Sequence, residues 1–281
     1  MPTSFLSRLE KACEVSQSLV CVGLDPDPQR MAVDDPFEFN KAIIDATSDL
    51  VCAYKPNTVF YEALGLSGLE ALGRTVEYIH DTAPQVVIIG DVKRGDIGPS
   101  GQACARAMFG VWGFDAVTVN AWGGQDSIAP FLENEERGVF VWCRGSNPGS
   151  TELQDLTVDS PLGRLPLYQH LAWSTRAWNA KGNVGLVVGA TIPDQLGAIR
   201  KICPEMPLLI PGVGAQGGDL EASVRLGTDH RGRLAIVASS RGIIYASGGP
   251  DFADAARKET QLLRQRINKV LADRGQGWLS N

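Results

Sequence analysis

Short apolar runs rich in β-branched residues recur along the chain, and segments with helical periodicity separate them. We expect eight of these runs to be strands: residues 19–24, 51–55, 86–91, 116–120, 139–143, 184–189, 208–211 and 234–239. Strands that alternate with helices form right-handed βαβ units, which place the strands parallel in one sheet. Eight such units in about 250 residues predict an α/β protein with a closed (β/α)8 TIM barrel. The alternative is a doubly wound open sheet.

Helical periodicity fills the stretches between the predicted strands and both ends of the chain. The expected helices are 4–15, 37–50, 69–82, 100–112, 165–181, 193–202 and 252–274. Neither a linker nor a low-complexity segment interrupts the pattern, so residues 1–281 are expected to form a single domain. The longest irregular stretch, 144–163, is rich in Gly, Pro, Ser, Asp and Thr. A loop of that length is usually functional, which favours a lid over a solvated insertion.

Composition excludes several classes of function. The net charge is −6 and no cluster of Lys and Arg stands out, so no nucleic-acid partner is expected. The apolar runs are far shorter than the roughly 18 residues that a membrane span needs. Acids and bases interrupt the N-terminal segment, which is unlike a secretory signal. The six cysteines are scattered, without a C-x-x-C pair. We therefore expect a cytoplasmic, reduced protein that binds neither membrane nor nucleic acid.

The third predicted strand ends in a cluster of charges instead of a turn. Residues 86–97 read VVIIGDVKRGDI, with four charged residues around Gly95. Because side chains alternate along a strand, Asp91 and Lys93 point to the same face. A carboxylate and an ammonium group side by side are costly to desolvate unless something uses them. This pattern favours an active site; the alternative is an ion pair that plugs the end of the barrel.

Other predicted strands also deliver polar groups at their carboxyl ends. Asp25 follows the first strand, Lys55 ends the second, and Ser146 follows the fifth. In a (β/α)8 barrel these ends share one face, where catalytic groups are found. The sequence therefore predicts one site, to which Lys55 and Lys93 both point.

A glycine-rich segment follows the seventh predicted strand. Residues 212–217 (GVGAQG) formally match G-x-G-x-x-G, but they do not open a βαβ unit and lack the acid that a dinucleotide site places about 20 residues on. A phosphate cradle fits better, because barrels commonly bind phosphate after strands seven and eight. Arg241 would supply a fixed positive fork, and Gln216 a side-chain amide. The alternative is that the glycines serve only tight turns.

We expect no metal site. The histidines fall on helices or surface segments away from the strand ends, at His80, His170 and His230. The nearby carboxylates are of a type that binds Mg2+, but Lys55 and Lys93 aim at the same space and neutralise them. The chain also lacks a G-x-S-x-G sequence, a Walker A sequence and a Cys/His pair, which excludes nucleophilic acyl transfer.

Together these residues resemble the orotidine 5′-phosphate decarboxylases in their longer bacterial form. The resemblance runs from about Val20 to Tyr245 and rests on 24–25 (LD), 54–57 (YKPN), 91–98 (DVKRGDIG), 211–218 (PGVGAQGG) and 241–242 (RG). The Asp-x-Lys-x-x-Asp element alone is shared with sister barrels. Its combination with Lys55 and with a phosphate end at Gln216 and Arg241 is specific.

The resemblance implies a cofactor-free enzyme that converts orotidine 5′-phosphate to uridine 5′-phosphate, the last step of de novo UMP synthesis. In this assignment Lys93 protonates C6 of the pyrimidine as CO2 leaves. Asp91 lies beside the substrate carboxylate, and Lys55 holds Asp91 and the ribose. Asp96 is the fourth catalytic residue and, with Ile97, reaches into the site of the partner subunit, which implies a homodimer. Gly95 is expected to break the strand and let Asp96 turn away.

The resemblance also implies a set of substrate-binding residues. Asp25 contacts a ribose hydroxyl, Ser146 the pyrimidine edge, and Gln216 with Arg241 the 5′-phosphate. The full set is Asp25, Ile97, Ser146, Pro211, Gln216, Gly217 and Arg241.

Two rival functions remain. Metal-dependent sugar-phosphate decarboxylases of the same barrel group share the Asp-x-Lys-x-x-Asp element, but their second strand typically carries an acid that helps to bind Mg2+, where this chain has Lys55. A non-catalytic phosphate-binding barrel would not explain two lysines that face two aspartates.

Overall fold

The computed structural model describes residues 4–213 and 217–278 and has eight parallel strands closed into a barrel. A separate antiparallel hairpin, β6 and β7, is inserted in the chain. In chain order the strands are β1 (Val20–Leu24), β2 (Ala53–Pro56), β3 (Val87–Arg94), β4 (Ala116–Val119), β5 (Gly138–Arg144), β6 (Thr157–Ser160), β7 (Gly163–Pro166), β8 (Val184–Val188), β9 (Leu208–Pro211) and β10 (Ala235–Ser239). The order around the barrel is β1-β10-β9-β8-β5-β4-β3-β2, and β1 pairs with both β10 and β2. The predicted (β/α)8 barrel is confirmed, since this closure excludes an open sheet.

Helices cover the outside of the barrel. They are α1 (Phe5–Ser16), α2 (Pro36–Thr47), α3 (Thr58–Glu62), α4 (Gly65–Thr82), α5 (Gly98–Arg106), α6 (Thr151–Gln154), α7 (Leu167–Trp178), α8 (Pro193–Ile202), α9 (Leu220–Gly227), α10 (Arg241–Ile244) and α11 (Phe252–Asp273). A π-helical turn at Ala107–Val111 continues α5. The seven predicted helices are present, six of them with shifted ends and α8 with the predicted ends. Four helices were not predicted from the sequence: α3, α6, α9 and α10. Three of them have five residues or fewer, which is too short for helical periodicity to be recognised.

The first helix packs against the amino ends of the barrel strands. Ser4 caps α1 by accepting a hydrogen bond from the Ser7 backbone N–H at 3.3 Å. The Phe5 ring meets the Phe140 ring edge-on, with centroids 6.0 Å apart. A Cβ atom at Gly138 would lie 2.4 Å from the Phe5 ring. Glycine at the start of β5 therefore makes room for this contact.

The segment expected to be one irregular loop, 144–163, is built from short elements. A 3-10 turn at Pro148–Ser150 leads into α6, and the β6–β7 hairpin follows; it turns at residues 161–162, and Gly163, which begins β7, has φ +93°. The expectation of an irregular stretch was therefore wrong, and the predicted helix 165–181 begins only at Leu167 because β7 occupies its first residues. Elements this short carry no periodic signal.

Within residues 4–213 and 217–278, we find no helix with the length and apolar character needed to cross a bilayer.

Candidate active site

A cavity of about 400 Å3 opens at the carboxyl ends of the barrel strands. Of the residues predicted to form the site, seven line it: Asp25, Lys55, Asp91, Lys93, Ser146, Pro211 and Arg241. They come from the ends of β1, β2, β3, β5 and β9 and from the start of α10. The closed parallel barrel brings them together because all its strands end on this face.

At the centre of the cavity one carboxylate lies between two ammonium groups. Lys55 Nζ is 3.1 Å from Asp91 Oδ2, and Lys93 Nζ is 2.6 Å from Asp91 Oδ1. The side chains of Lys55 and Asp91 are buried, at 8% and 12% exposure, whereas that of Lys93 is 38% exposed. The buried Lys55 thus holds Asp91 in place, and the more exposed Lys93 presents its ammonium group to the cavity.

The charges of this cluster stabilise one another. Burial would raise the pKa of the Asp91 carboxyl, but the ammonium groups of Lys55 and Lys93 outweigh it and hold that pKa well below its usual range. Burial would lower the pKa of Lys55, but the carboxylates of Asp91 and Asp25 raise it above its usual range. Asp91 and Lys55 therefore stay charged at neutral pH.

The backbone of β3 leaves regular strand geometry at this cluster. Lys93 has φ +44°, in the left-handed region that non-glycine residues rarely adopt. Gly90 pairs with Val117 and Arg94 with Val119, so four residues of β3 span the length of two on β4. Such a conformation costs about 1–3 kcal/mol and persists only where surrounding contacts enforce it. Asp91 and Lys93 are neighbours as predicted, but regular alternation is not the reason.

Thr118 of β4 bridges this irregular stretch. Its Oγ1 donates to Asp91 Oδ1 at 2.8 Å and accepts from the backbone N–H groups of Val92 and Lys93, both at 3.0 Å. Thr118 was not among the residues predicted from the sequence, although one hydroxyl within an apolar run was a signal that could have identified it.

Asp25 lies on the β1 side of the cavity with part of its bonding capacity unused. Its Oδ2 accepts a hydrogen bond from Ser240 Oγ at 2.5 Å. Its Oδ1 is buried and has no hydrogen-bond partner among the described residues. A Cβ atom at Gly23 would lie 2.6 Å from that of Ser240, so a glycine at 23 permits this contact. An unpaired buried carboxylate oxygen beside a cavity suits a ligand hydroxyl.

The predicted phosphate end is described only in part. Gln216 lies outside the described residues, and Gly217 (φ +76°) is exposed and does not line the cavity. Gly212 has φ +97°, and a Cβ atom at Gly218 would lie 2.6 Å from the Gly212 carbonyl oxygen. These two glycines therefore have a steric role in the turn, and the predicted phosphate cradle stays a prediction. Arg241 is exposed at the cavity edge.

Ser146 is held over β8 by its neighbours. A Cβ atom at Gly189 would lie 2.7 Å from the Ser146 Cβ, so glycine there lets the serine approach. Thr191 Oγ1 donates to the Ser146 carbonyl at 3.2 Å.

Arg144, at the end of β5, anchors the segment that follows it. Its side chain is 1% exposed and donates to Gln195 of α8 at 2.6 Å and to Gln154 at 3.1 Å. It also bonds Ser150 and pairs with Asp155 at 3.2 Å. The sequence showed a charged residue at a strand end but not its burial, because all these partners lie in loops or on another helix.

Asp96 and Ile97 do not line the cavity of their own chain. The Asp96 N–H donates to the Ser127 carbonyl at 3.0 Å, and Ile97 is 62% exposed. Gly95 precedes them for a steric reason rather than for flexibility, since a Cβ atom there would lie 2.1 Å from the Asn120 carbonyl oxygen. β3 ends at Arg94, directly before Gly95, in agreement with the expectation that the strand breaks here. The φ of Gly95 is not in the left-handed region.

In the described part of the chain, no three His, Cys, Asp or Glu side chains meet as a group that could hold a metal ion. The ligand-binding capacity of the cavity lies instead in two ammonium groups, an unpaired carboxylate oxygen and an exposed guanidinium group.

The closed barrel and its cavity define the class of protein: a (β/α)8-barrel enzyme with a lysine–aspartate–lysine centre at the carboxyl end. Residues 18–258 match the model of the orotidine 5′-phosphate decarboxylase / HUMPS family. The chain belongs to this family, and the predicted resemblance is confirmed.

Individual relatives agree with the family match. Orotidine 5′-phosphate decarboxylase of Cellvibrio japonicus is 47% identical over 278 residues, covering 96% of this chain and all of the relative. That of Roseiflexus castenholzii is 48% identical over 275 residues, covering 95% and 98%. The solved OMP decarboxylase of Leishmania donovani superposes with a TM-score of 0.83 at 33% identity, covering 95% of this chain and 98% of that one.

Proposed function

We propose that this protein decarboxylates orotidine 5′-phosphate to uridine 5′-phosphate, with Lys93 as the acid that protonates C6. The observation that carries the proposal is the Lys55–Asp91–Lys93 arrangement in the cavity, with distances of 3.1 and 2.6 Å. Family membership supports the reaction, and the side chain of Lys93 is the more exposed of the two lysines.

Decarboxylation of this substrate requires a fixed positive charge beside the reacting carbon. Loss of CO2 leaves a carbanion at C6 that the pyrimidine ring does not delocalise. An ammonium group held beside it stabilises the charge as it develops and then supplies the proton. At about 4 Å and an effective dielectric constant near 20, this contact is worth about 4 kcal/mol, or roughly three decades in rate.

Asp91 would act on the substrate carboxylate. Because its pKa is held well below the usual range, Asp91 is ionised at neutral pH and would repel a carboxylate beside it. That repulsion is relieved when the substrate carboxylate leaves as CO2. Lys55 keeps Asp91 in place, and Asp25 Oδ1 is free to accept a hydrogen bond from a ribose hydroxyl.

One lysine contact does not account for a fast decarboxylation, so binding energy from the remote phosphate must contribute. Arg241 at the cavity edge and Gln216 would bind the 5′-phosphate, with Pro211 and Gly217 beside them. Ser146 would contact the pyrimidine edge. The 144–163 segment would act as a lid whose closure on the substrate aligns these charges.

We also propose that residues 1–281 form one domain and that the protein is a cytoplasmic homodimer. The position of Asp96 and Ile97, outside their own cavity and with Ile97 exposed, supports a role in the site of a partner copy. Sedimentation equilibrium tests this assembly, and a monomer with full turnover would contradict it.

The function is tested by following loss of the orotate chromophore with purified protein and orotidine 5′-phosphate, with and without a metal chelator. We expect chelator-insensitive formation of UMP and, in D2O, deuterium at C6 of the product. Absence of turnover by folded protein would refute the proposal. Turnover of a sugar phosphate that requires added Mg2+ would instead favour a metal-dependent sugar-phosphate decarboxylase.

A further inference from the structure

We propose that Thr118 is a positioning residue that keeps Lys93 and Asp91 aligned for the reaction, a role that rests on the proposed function. Thr118 lies in the middle of β4 and is 1% exposed. It also lines the cavity, together with Asp91 and Lys93.

Asp91, Val92 and Lys93 together use all the hydrogen-bonding capacity of the Thr118 hydroxyl group. A threonine hydroxyl has one hydrogen to donate and two lone pairs to accept. The hydrogen goes to Asp91 Oδ1 at 2.8 Å, and the lone pairs accept the N–H groups of Val92 and Lys93 at 3.0 Å each. No bonding capacity remains for substrate, so Thr118 acts through its neighbours.

These three bonds act where β3 is irregular. Lys93 has φ +44°, and the β3–β4 pairing jumps between Gly90 and Arg94. The N–H groups of Val92 and Lys93 bond the Thr118 side chain instead of a strand carbonyl. The hydroxyl therefore supports the backbone conformation from which the Lys93 side chain reaches Asp91.

The same hydroxyl restricts the Asp91 carboxylate. Lys55 bonds Oδ2, while Lys93 and Thr118 share Oδ1. Without Thr118, the side chains that hold the carboxylate among the described residues are two flexible lysines. The distance from Lys93 Nζ to the reacting carbon would then vary, and proton transfer is sensitive to such variation.

The test compares Thr118→Val, which keeps the shape but removes the hydroxyl, with Thr118→Ser, which keeps the hydroxyl. We expect Thr118→Val to lower kcat roughly a hundredfold, the loss that a displacement of about 1 Å produces. KM for orotidine 5′-phosphate and the dissociation constant of UMP should change by less than about threefold, since only transition-state alignment is affected. Thr118→Ser should restore most of kcat.

A purely structural role predicts a different result. Thermal unfolding would then shift while kcat per folded molecule stayed the same, and this outcome would refute the proposal, as would equal kcat in Thr118→Val and Thr118→Ser. If Thr118→Val does not fold, Thr118→Cys replaces it, because a thiol keeps the volume but is only a weak hydrogen-bonding group. Wild-type kcat in that variant would equally refute the role.

The wild-type assay separates the two proposals. A wild-type protein that turns over orotidine 5′-phosphate, together with a Thr118→Val variant of unchanged kcat, refutes only the role of Thr118. A folded wild-type protein without turnover refutes the proposed function and this role with it.

Discussion

Charged side chains are buried at both ends of the barrel, but their hydrogen-bonding capacity is used differently. At the amino end, the guanidinium group of Arg200 donates from all three nitrogens to backbone carbonyl groups at 2.7–3.4 Å, those of Cys203, Pro204, Met206, Gly227 and Leu234. Burial lowers the pKa of Arg200 to about 10, which leaves it charged at neutral pH. The amino end thus ties together the loops that enter β9 and β10.

At the carboxyl end, the buried Lys55 and Asp91 lie beside groups that keep unused hydrogen-bonding capacity. The Lys93 side chain is 38% exposed beside Asp91, and Asp25 Oδ1 has no hydrogen-bond partner among the described residues. Both residues line the cavity. Burial and charge alone therefore do not identify a functional site. Unused hydrogen-bonding capacity beside a cavity does, because a satisfied charge has nothing left to offer a ligand.

The strongest test of this contrast is to remove one charge at the carboxyl end. Lys93→Met should lower kcat/KM by roughly three decades or more, because it removes the ammonium group beside the developing carbanion. Its thermal midpoint should stay close to the wild type, since Asp91 keeps Lys55 and Thr118 as partners. Lys258→Met, at an exposed position of α11, is the matched control. Retention of more than about a tenth of the activity by Lys93→Met would contradict the assignment.

The converse change is at the amino end. Arg200→Met should lower the free energy of unfolding by about 3–5 kcal/mol, because it leaves several buried carbonyl groups without a donor. Activity per folded molecule should be unchanged. Urea unfolding measures the loss, with exposed Arg225→Met as the control. If Arg200→Met lost kcat without losing stability, the proposed distinction between a structural amino end and a functional carboxyl end would be wrong.

Arg144 sharpens the comparison, because it lies at the carboxyl end but is saturated like Arg200. Arg144→Met should release the segment that contains α6, and chymotrypsin should then cut near Leu153 and Leu156 faster than in the wild type. We expect kcat/KM to fall roughly tenfold, because Ser146 follows this anchor. Arg164→Met, in the adjoining strand β7, is the control, since the pair of Arg164 with Asp159 at 3.6 Å is exposed. Unchanged proteolysis would show that Arg144 does not anchor the segment.

The smallest expected effect is a pH dependence of stability at the amino end. Burial would raise the pKa of Asp229, but the backbone N–H of Arg233 and the side chain of Arg231 lower it below its ordinary value of 3.8. A lowered pKa in the folded state adds stability above that ordinary value, and this stability is lost as the pH falls through the folded-state pKa. Asp229→Asn should therefore be less stable than the wild type, by about 1 kcal/mol, near neutral pH.

Thermal unfolding of both proteins between pH 7 and pH 2 measures this difference. The gap should close below about pH 3.8, the ordinary pKa of the group. Turnover at neutral pH should be equal in both proteins. A gap that persists at the lowest pH would mean that the Asp229 charge is not its cause.

Much of this molecule follows from sequence pattern. Alternation of β-branched runs with helical segments predicts the barrel, because short apolar runs between helices are typical of buried parallel strands. Once the strands are parallel and the sheet is closed, Asp25, Lys55, Asp91 and Lys93 must share one face. Their meeting at the cavity is therefore a consequence of topology, which periodicity encodes.

Other features depend on contacts between residues far apart in the chain. The left-handed conformation of Lys93, the three hydrogen bonds of Thr118 and the burial of Arg144 each depend on atoms placed to within a fraction of an ångström. Sequence periodicity reports which face of an element is buried but not the register or the loop path at that precision. The sequence alone thus determined that these charged residues meet at one face of the barrel. Their alignment was decided only by the packing of β3 against β4, because a hydrogen bond depends on interatomic distances that a local sequence pattern does not encode.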